Sequence, residues 1–186
     1  LGSEIAAALT ALEPLGIDLI GLNCATGPAE MSEHLRHLAQ HARAGLSVMP
    51  NAGLPVLGRD GATYPLAPAE LADALDTFTR DYGAVLVGGC CGTTPEHLRQ
   101  VVERLSGRGV APRRPAPEAA AASLYQAVPL RQDTSVLMVG ERTNTNGSRA
   151  FREALIDSRW DDIIEIARTA IREGAHMIDV CVDYVG

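Results

Sequence analysis

Four cysteines stand in this sequence, and three of them sit in glycine-bounded stretches that could aim their sulfurs at a common point. Cys24 lies in Gly21-Leu22-Asn23-Cys24-Ala25-Thr26-Gly27-Pro28, and Cys90 and Cys91 lie in Gly88-Gly89-Cys90-Cys91-Gly92-Thr93-Thr94-Pro95. Adjacent side chains of a regular strand point to opposite faces, so the vicinal pair can face one point only where the backbone leaves strand geometry. Gly88, Gly89 and Gly92 permit that departure. Three converging thiolates suit a tetrahedral zinc ion whose fourth position is left for a ligand, the pattern of a catalytic site; a structural zinc usually closes with four protein ligands. A thiol substrate in that position would ionise near neutral pH instead of near ~8.5, and the surrounding negative charge would keep its sulfur electron-rich for S-alkylation. Two rival readings of the same residues stand beside this one: a redox or merely buried cysteine pair, and a glycine-rich turn that cradles phosphate.

The elements that must position these residues are legible from periodicity. Leu71, Leu75, Phe78 and Tyr82 recur at helical spacing, as do Leu98, Val101, Val102 and Leu105, and Ile163, Ala167, Ala170 and Ile171. Between them, short apolar runs without alternation over residues 17–22, 46–49, 84–87, 136–139 and 177–180 predict strands buried on both faces. Strand and helix alternate at the length of a βαβ unit, so the fold class is α/β with parallel strands. Cys24 and the Cys90-Cys91 pair then follow the carboxyl ends of two strands, the edge where parallel barrels gather their catalytic residues. Thr94-Pro95-Glu96 reads as an N-cap, a first-turn proline and a first-turn acid opening a helix. The alternation breaks over residues 107–134, where clustered prolines and a run of alanines predict a linker. Three strand units precede it and two follow, too few on either side to close a barrel. The expectation is a piece of a longer protein, spanning a domain boundary and unstable or oligomeric if isolated.

Net charge is −7 with 16 Lys+Arg, which supplies no clustered positive potential for nucleic acid or an anionic membrane surface. The opening residues lack the basic and apolar regions of a signal peptide, and the reading is cytoplasmic. After the linker, Gly140-Glu141-Arg142-Thr143-Asn144 and Gly174-Ala175-His176-Met177-Ile178-Asp179-Val180 set polar groups at two more strand ends. A helix-capping loop, with Ser148 or Asn146 as the cap, accounts for the first cluster without function, and Asp179 either binds a ligand or closes a turn.

GLNCATGP and GGCCGTTPEH resemble the two cysteine motifs of the zinc-dependent homocysteine S-methyltransferases, which are (β/α)8 barrels. GERTN and GAHMIDV resemble the opening of a pterin-binding barrel, and the two in this order are similar to the cobalamin-dependent methionine synthase family. The resemblance implies parts of two (β/α)8 TIM-type barrels: residues 1–106 as the end of a homocysteine barrel, 107–134 as a Pro/Ala-rich interdomain linker, and 135–186 as the start of a folate barrel. It implies Cys24, Cys90 and Cys91 as zinc ligands, with the homocysteine sulfur in the open position. Asn51, in Pro50-Asn51-Ala52-Gly53, either lines that site or forms a turn. Glu141, Arg142, Thr143 and Asn144 fall at the folate edge, with Asn144 and Asp179 the pterin contacts. Where Asn is expected in Asp-Val-Asn, Cys181 stands instead, a small buried residue outside the zinc set. The implied chemistry is methyl transfer from 5-methyltetrahydrofolate through cobalamin, carried on a separate domain, to homocysteine. A folate-independent homocysteine methyltransferase and a non-catalytic interdomain module are the alternatives. His34, His37 and His41 share one side of a helix and read as a solvated face, Arg113 and Arg114 as linker charges, and Trp160 as a packing anchor.

Overall fold

The computed structural model describes residues 2–59 and 61–184, a mixed α/β chain that divides into two compact units. The first comprises Leu1–Glu118 with Ala122–Gln126, and the second Ala119–Ala121 with Ala127–Gly186.

In chain order the first unit runs through α1 (Ile5–Leu12), β1 (Leu19–Asn23), α2 (Pro28–His41), β2 (Gly45–Met49), the short hairpin β3 (Val56–Gly58) and β4 (Gly61–Thr63), α3 (Pro68–Asp81), β5 (Ala84–Val87) and α4 (Pro95–Leu105). Its sheet has the order β1-β2-β5, all parallel, with Ile20 beside Leu46 and Val48 beside Val87. Each helix that follows a sheet strand or the hairpin begins on a proline, Pro28, Pro68 or Pro95, after an extended residue. Proline there has its φ already set and surrenders an N–H that the first turn leaves unpaired anyway. Glu30, Glu70 and Glu96 follow in the first turns, where the helix dipole favours negative charge. The Glu70 carboxylate also accepts from Ala67 N at 2.8 Å.

Leu35, Leu38, Leu46, Val48, Leu71 and Leu75 are fully buried and form the centre of the core, where α2 and α3 pack on the sheet. Along α3 the expected stripe holds, with Phe78 buried and Tyr82 stacked on it at 5.8 Å. Along α4 it turns: His97 and Val101 are buried, whereas Leu98 and Val102 are 44% and 62% exposed. A histidine whose ring nitrogens find partners can be buried where two apolar neighbours stay outside.

At the opposite edge from the strand carboxyl ends, the proline-rich segment lies against the first unit. Arg113, expected to be an ordinary linker charge, donates to the carbonyls of Leu38, Ala42 and Ala44, with Nη1 2.9 Å from Ala42 O. Ala42 O and Ala44 O lie at the end of α2 and in the turn into β2, where carbonyls lack helical partners, whereas Leu38 O also accepts from Ala42 N at 2.8 Å. The Glu13 carboxylate accepts from Ala44 N at 3.1 Å, so the Ala42–Ala44 turn is pinned through both its donors and its acceptors. Ala116 N reaches Gln40 O at 2.7 Å and Ala111 N reaches Thr79 O at 3.4 Å.

Two short strands, β6 (Ala120–Ala122) and β7 (Ala127–Pro129), interrupt the stretch read as linker. The second unit continues with β8 (Val139–Asn144), α5 (Arg149–Ile156), α6 (Trp160–Arg172) and β9 (Met177–Cys181). β8 and β9 are parallel, with Val139 beside Met177 and Asn144 beside Cys181. The apolar run 136–139 predicts a strand that the structure moves onward, so that Glu141-Arg142-Thr143-Asn144 is the strand itself. Pairing with β9 decides its position, and Val136 is left 77% exposed. Gly140 allows the close approach of α6, since an added Cβ would lie 3.0 Å from the Ala170 methyl. Ser148 Oγ accepts from Phe151 N at 3.2 Å and is the cap of α5. Trp160, expected to anchor packing, is 61% exposed at the start of α6. No helix among the described residues is long and apolar enough to cross a membrane.

Because Arg113 serves three carbonyls with one guanidinium, Arg113→Ala in the full-length protein is expected to cost about 2 kcal/mol in denaturant unfolding of the domain carrying it. A midpoint equal to that of the unsubstituted protein would show that water replaces the guanidinium without penalty.

Candidate metal centre

β1 ends at Asn23 and the chain turns at once. Cys24 and Ala25 both take left-handed φ, 58° and 62°, an outlying backbone for residues with a Cβ, and Thr26 N closes on Cys24 O at 2.7 Å. After β5, Cys90 N donates to Pro50 O at 2.8 Å and Thr93 N to Cys90 O at 3.2 Å, a turn in place of strand geometry. Gly92, at φ +77°, completes it: an added Cβ there would lie 2.2 Å from Cγ of Tyr64, whose ring covers the turn.

These two turns bring together the three cysteines expected to converge. Cys24 Sγ lies 3.5 Å from Cys91 Sγ, Cys91 Sγ lies 4.0 Å from Cys90 Sγ, and all three sulfurs fall within 4.8 Å of one another. Zinc–sulfur bonds of roughly 2.3 Å in a tetrahedron set sulfurs about 3.8 Å apart, close to the Cys24–Cys91 and Cys90–Cys91 separations. All four cysteines are free thiols, and the triad is the group of metal-competent side chains among the described residues. Cys181, on β9 of the second unit, is half-buried and stands 3.7 Å from Asp183 O. His37 and His41 stack at 4.6 Å, with His41 Nδ1 2.9 Å from Ala116 O, and gather no third ligand among the described residues.

Asn51 is 3% exposed and ties both cysteine turns together. Its Oδ1 accepts from Cys91 N at 3.0 Å and its own N donates to Thr26 O at 3.0 Å. The electrostatics are those of a shared proton pool. The Ala25 backbone N–H, then the Cys91 and Cys90 thiols, hold Cys24 below the ordinary thiol range; Cys91, donating to Cys24, is pushed up. Tyr64 is also raised, first by loss of solvent and then through its hydrogen bond to Cys91.

Two groups at this edge carry no expectation from the sequence, Tyr64 and His97. His97 lies inside the GGCCGTTPEH motif, three residues after the Thr94 cap, and that spacing is the signal that could have found it. Nothing in the sequence points to Tyr64, which reaches the sulfurs only because the hairpin folds back over them.

In the second unit, Asn144 and Asp179 meet: Asn144 Nδ2 donates to Asp179 Oδ2 at 2.7 Å. Thr143 is buried and its hydroxyl donates to the Asp179 carbonyl. Arg142 is turned away toward Glu173, 3.2 Å distant just beyond α6, and Glu141 is exposed. Asn146 Nδ2 bridges to Asp183 O at 2.8 Å, and its N donates to Asn144 Oδ1 at 2.9 Å. The polar edge is thus a connected network around the Asn144–Asp179 pair.

Comparison with known proteins adds an independent line. Residues 1–105 match the family model for homocysteine S-methyltransferase, and residues 140–186 match that for pterin binding enzymes. Over its whole length the chain is 61% identical to the methionine synthase of Mycobacterium tuberculosis, and 60% identical over 191 aligned residues to that of Mycobacterium leprae. It spans 16% of the length of each of these relatives. With more than half of its residues inside the first of those models, and with three cysteines gathered at one strand edge, the chain belongs to the homocysteine S-methyltransferase family.

Proposed function

We propose that this chain is the junction of a cobalamin-dependent methionine synthase, carrying the thiolate end of a homocysteine barrel and the opening of a folate barrel. The observation that carries the reading is the convergence of Cys24, Cys90 and Cys91 with a spacing suited to one zinc ion. In this reading residues 1–106 and 135–186 belong to separate (β/α)8 barrels, and 107–134 join them. The parallel order β1-β2-β5 and the parallel pair β8-β9 support it as consecutive arcs of such barrels.

Zinc held by the three sulfurs would supply Lewis acidity that ionises a thiol substrate, homocysteine, in the fourth position. The chain's own residues do the remainder. The left-handed turn at Cys24 and the glycine-bounded turn at Cys90-Cys91 preset the sulfur spacing. Asn51 keeps the two turns in register, and the Tyr64 ring covers one side of the cluster. In the second unit Asn144 and Asp179 present an amide and a carboxylate side by side, a donor and acceptor set for the edge of a pterin ring. 5-Methyltetrahydrofolate is the methyl donor there, and cobalamin on another domain of the same protein is the carrier between the barrels. The match of residues 140–186 to pterin binding enzymes favours this over a folate-independent methyltransferase. The site of action is cytoplasmic, with neither nucleic acid nor membrane as partner.

Replacing Cys91 by Ala in the full-length protein is expected to reduce zinc from one ion per chain to near none, and to abolish methyl transfer from methylcobalamin to homocysteine. Metal analysis and the half-reaction assay read this directly, and zinc content unchanged in Cys91→Ala would overturn the ligand set. The folate half-reaction is the internal control, since its residues lie in the other unit.

Asn144→Ala and Asp179→Ala each remove one member of a hydrogen-bonded pair that includes a charge. A loss of about 1.5–3 kcal/mol corresponds to roughly tenfold to a hundredfold in cobalamin methylation by 5-methyltetrahydrofolate, with transfer to homocysteine spared. Equal damage to both half-reactions would contradict this division of labour.

A further inference from the structure

His97 is 7% exposed at the third position of α4, and its ring makes contact at both nitrogens. Nδ1 lies 3.2 Å from Thr94 N and 2.8 Å from Thr94 Oγ1, and Nε2 lies 2.9 Å from Leu66 O. A backbone N–H only donates and a carbonyl only accepts, so one neutral tautomer satisfies every contact: Nδ1 accepts from Thr94 and Nε2–H donates to Leu66. The first contact ties down the start of α4. The second leaves the helix for the segment that follows the hairpin, two residues beyond Tyr64.

From Leu66 the hydrogen bonds run back to the cysteines without a gap. Leu66 N donates to Ala52 O at 3.0 Å, and Ala52 N donates to Cys91 O at 2.9 Å. Cys91 N donates to Asn51 Oδ1 at 3.0 Å, and the chain from Cys91 returns through Thr94 to His97. The circuit is closed, and away from the β2 end its two sides are joined by the Tyr64–Cys91 hydrogen bond and by the His97–Leu66 bond.

We propose that His97 is a positioning residue of the thiolate centre: it clamps the 51–66 segment, which carries Asn51 and Tyr64, against the turn that carries Cys90 and Cys91. The inference rests on the zinc-thiolate reading above and deepens it. Groups beyond the ligands that hold them in place typically change metal affinity by roughly ten- to a hundredfold when removed. The His97 ring bonds to Thr94 and Leu66 and not to a sulfur, so its effect passes through the geometry of Cys91 and Asn51.

The two ring contacts can be separated by substitution. His97→Asn leaves an acceptor where Nδ1 stands and removes the donor to Leu66, whereas His97→Gln can place an N–H where Nε2–H stands. In the zinc-loaded full-length protein, His97→Asn is expected to lose zinc to a chelator about tenfold faster or more, with its thermal melt close to that of the unsubstituted protein. His97→Gln is expected to stay close to the unsubstituted rate. The visible absorption of cobalt(II)-substituted protein gives a second readout, changed in His97→Asn and retained in His97→Gln. A lowered melting temperature with unchanged zinc loss and cobalt spectrum would assign His97 to folding alone and overturn the proposal. So would equal zinc loss in both variants. Unsubstituted protein that holds no zinc would overturn the metal reading itself, and this inference with it.

Discussion

Three ionisable sulfurs within 4.8 Å of one another are an electrostatic burden, and the rest of this edge is built around carrying it. Two unit charges 4 Å apart repel by about 4 kcal/mol at an effective dielectric of 20, so three bare thiolates cannot coexist there near neutral pH. Without a cation the cluster shares protons, which is why Cys24 is held low while Cys91, donating to it, is held high. With a divalent cation the same spacing becomes favourable, and metal binding releases the shared protons. Backbone geometry must hold the sulfurs in place in either state. The left-handed residues Cys24 and Ala25 are the visible cost of doing so.

Fixed sulfur positions require fixed strand ends, and the first unit secures these from both sides. Parallel pairing of β1, β2 and β5 sets the three turns side by side, and buried leucines of α2 and α3 lock the sheet from behind. At the far edge, Glu13 and Arg113 hold the turn that launches β2, the strand whose other end delivers Asn51. At the near edge, the Asn51 amide oxygen and the His97 ring join segments that the chain alone would leave independent.

Much of this was legible in the sequence because it rests on local rules. Glycines around the cysteines, prolines opening helices and apolar runs marking parallel strands each act within a few residues, and the strands carrying Cys24 and the Cys90-Cys91 pair fall where those rules put them. What escaped depends on partners far away in sequence. β8 is shifted because its ladder with β9 outweighs the apolar run before it. The buried face of α4 turns because His97 has a carbonyl 31 residues away to bond. Arg113 is anchored because the turn after α2 leaves the Ala42 and Ala44 carbonyls open, which no linker composition reveals. Arg142, grouped with its neighbours by motif, faces Glu173 instead of the Asn144–Asp179 pair.

Zinc X-ray absorption of the full-length protein, with and without homocysteine, decides whether the cysteine triad is a zinc site with one position reserved for a thiol substrate. Three sulfurs at roughly 2.3 Å and one lighter donor are expected in the absence of homocysteine, and four sulfurs in its presence. A shell that stays at three sulfurs when homocysteine is bound, or one dominated by nitrogen and oxygen throughout, would contradict that assignment.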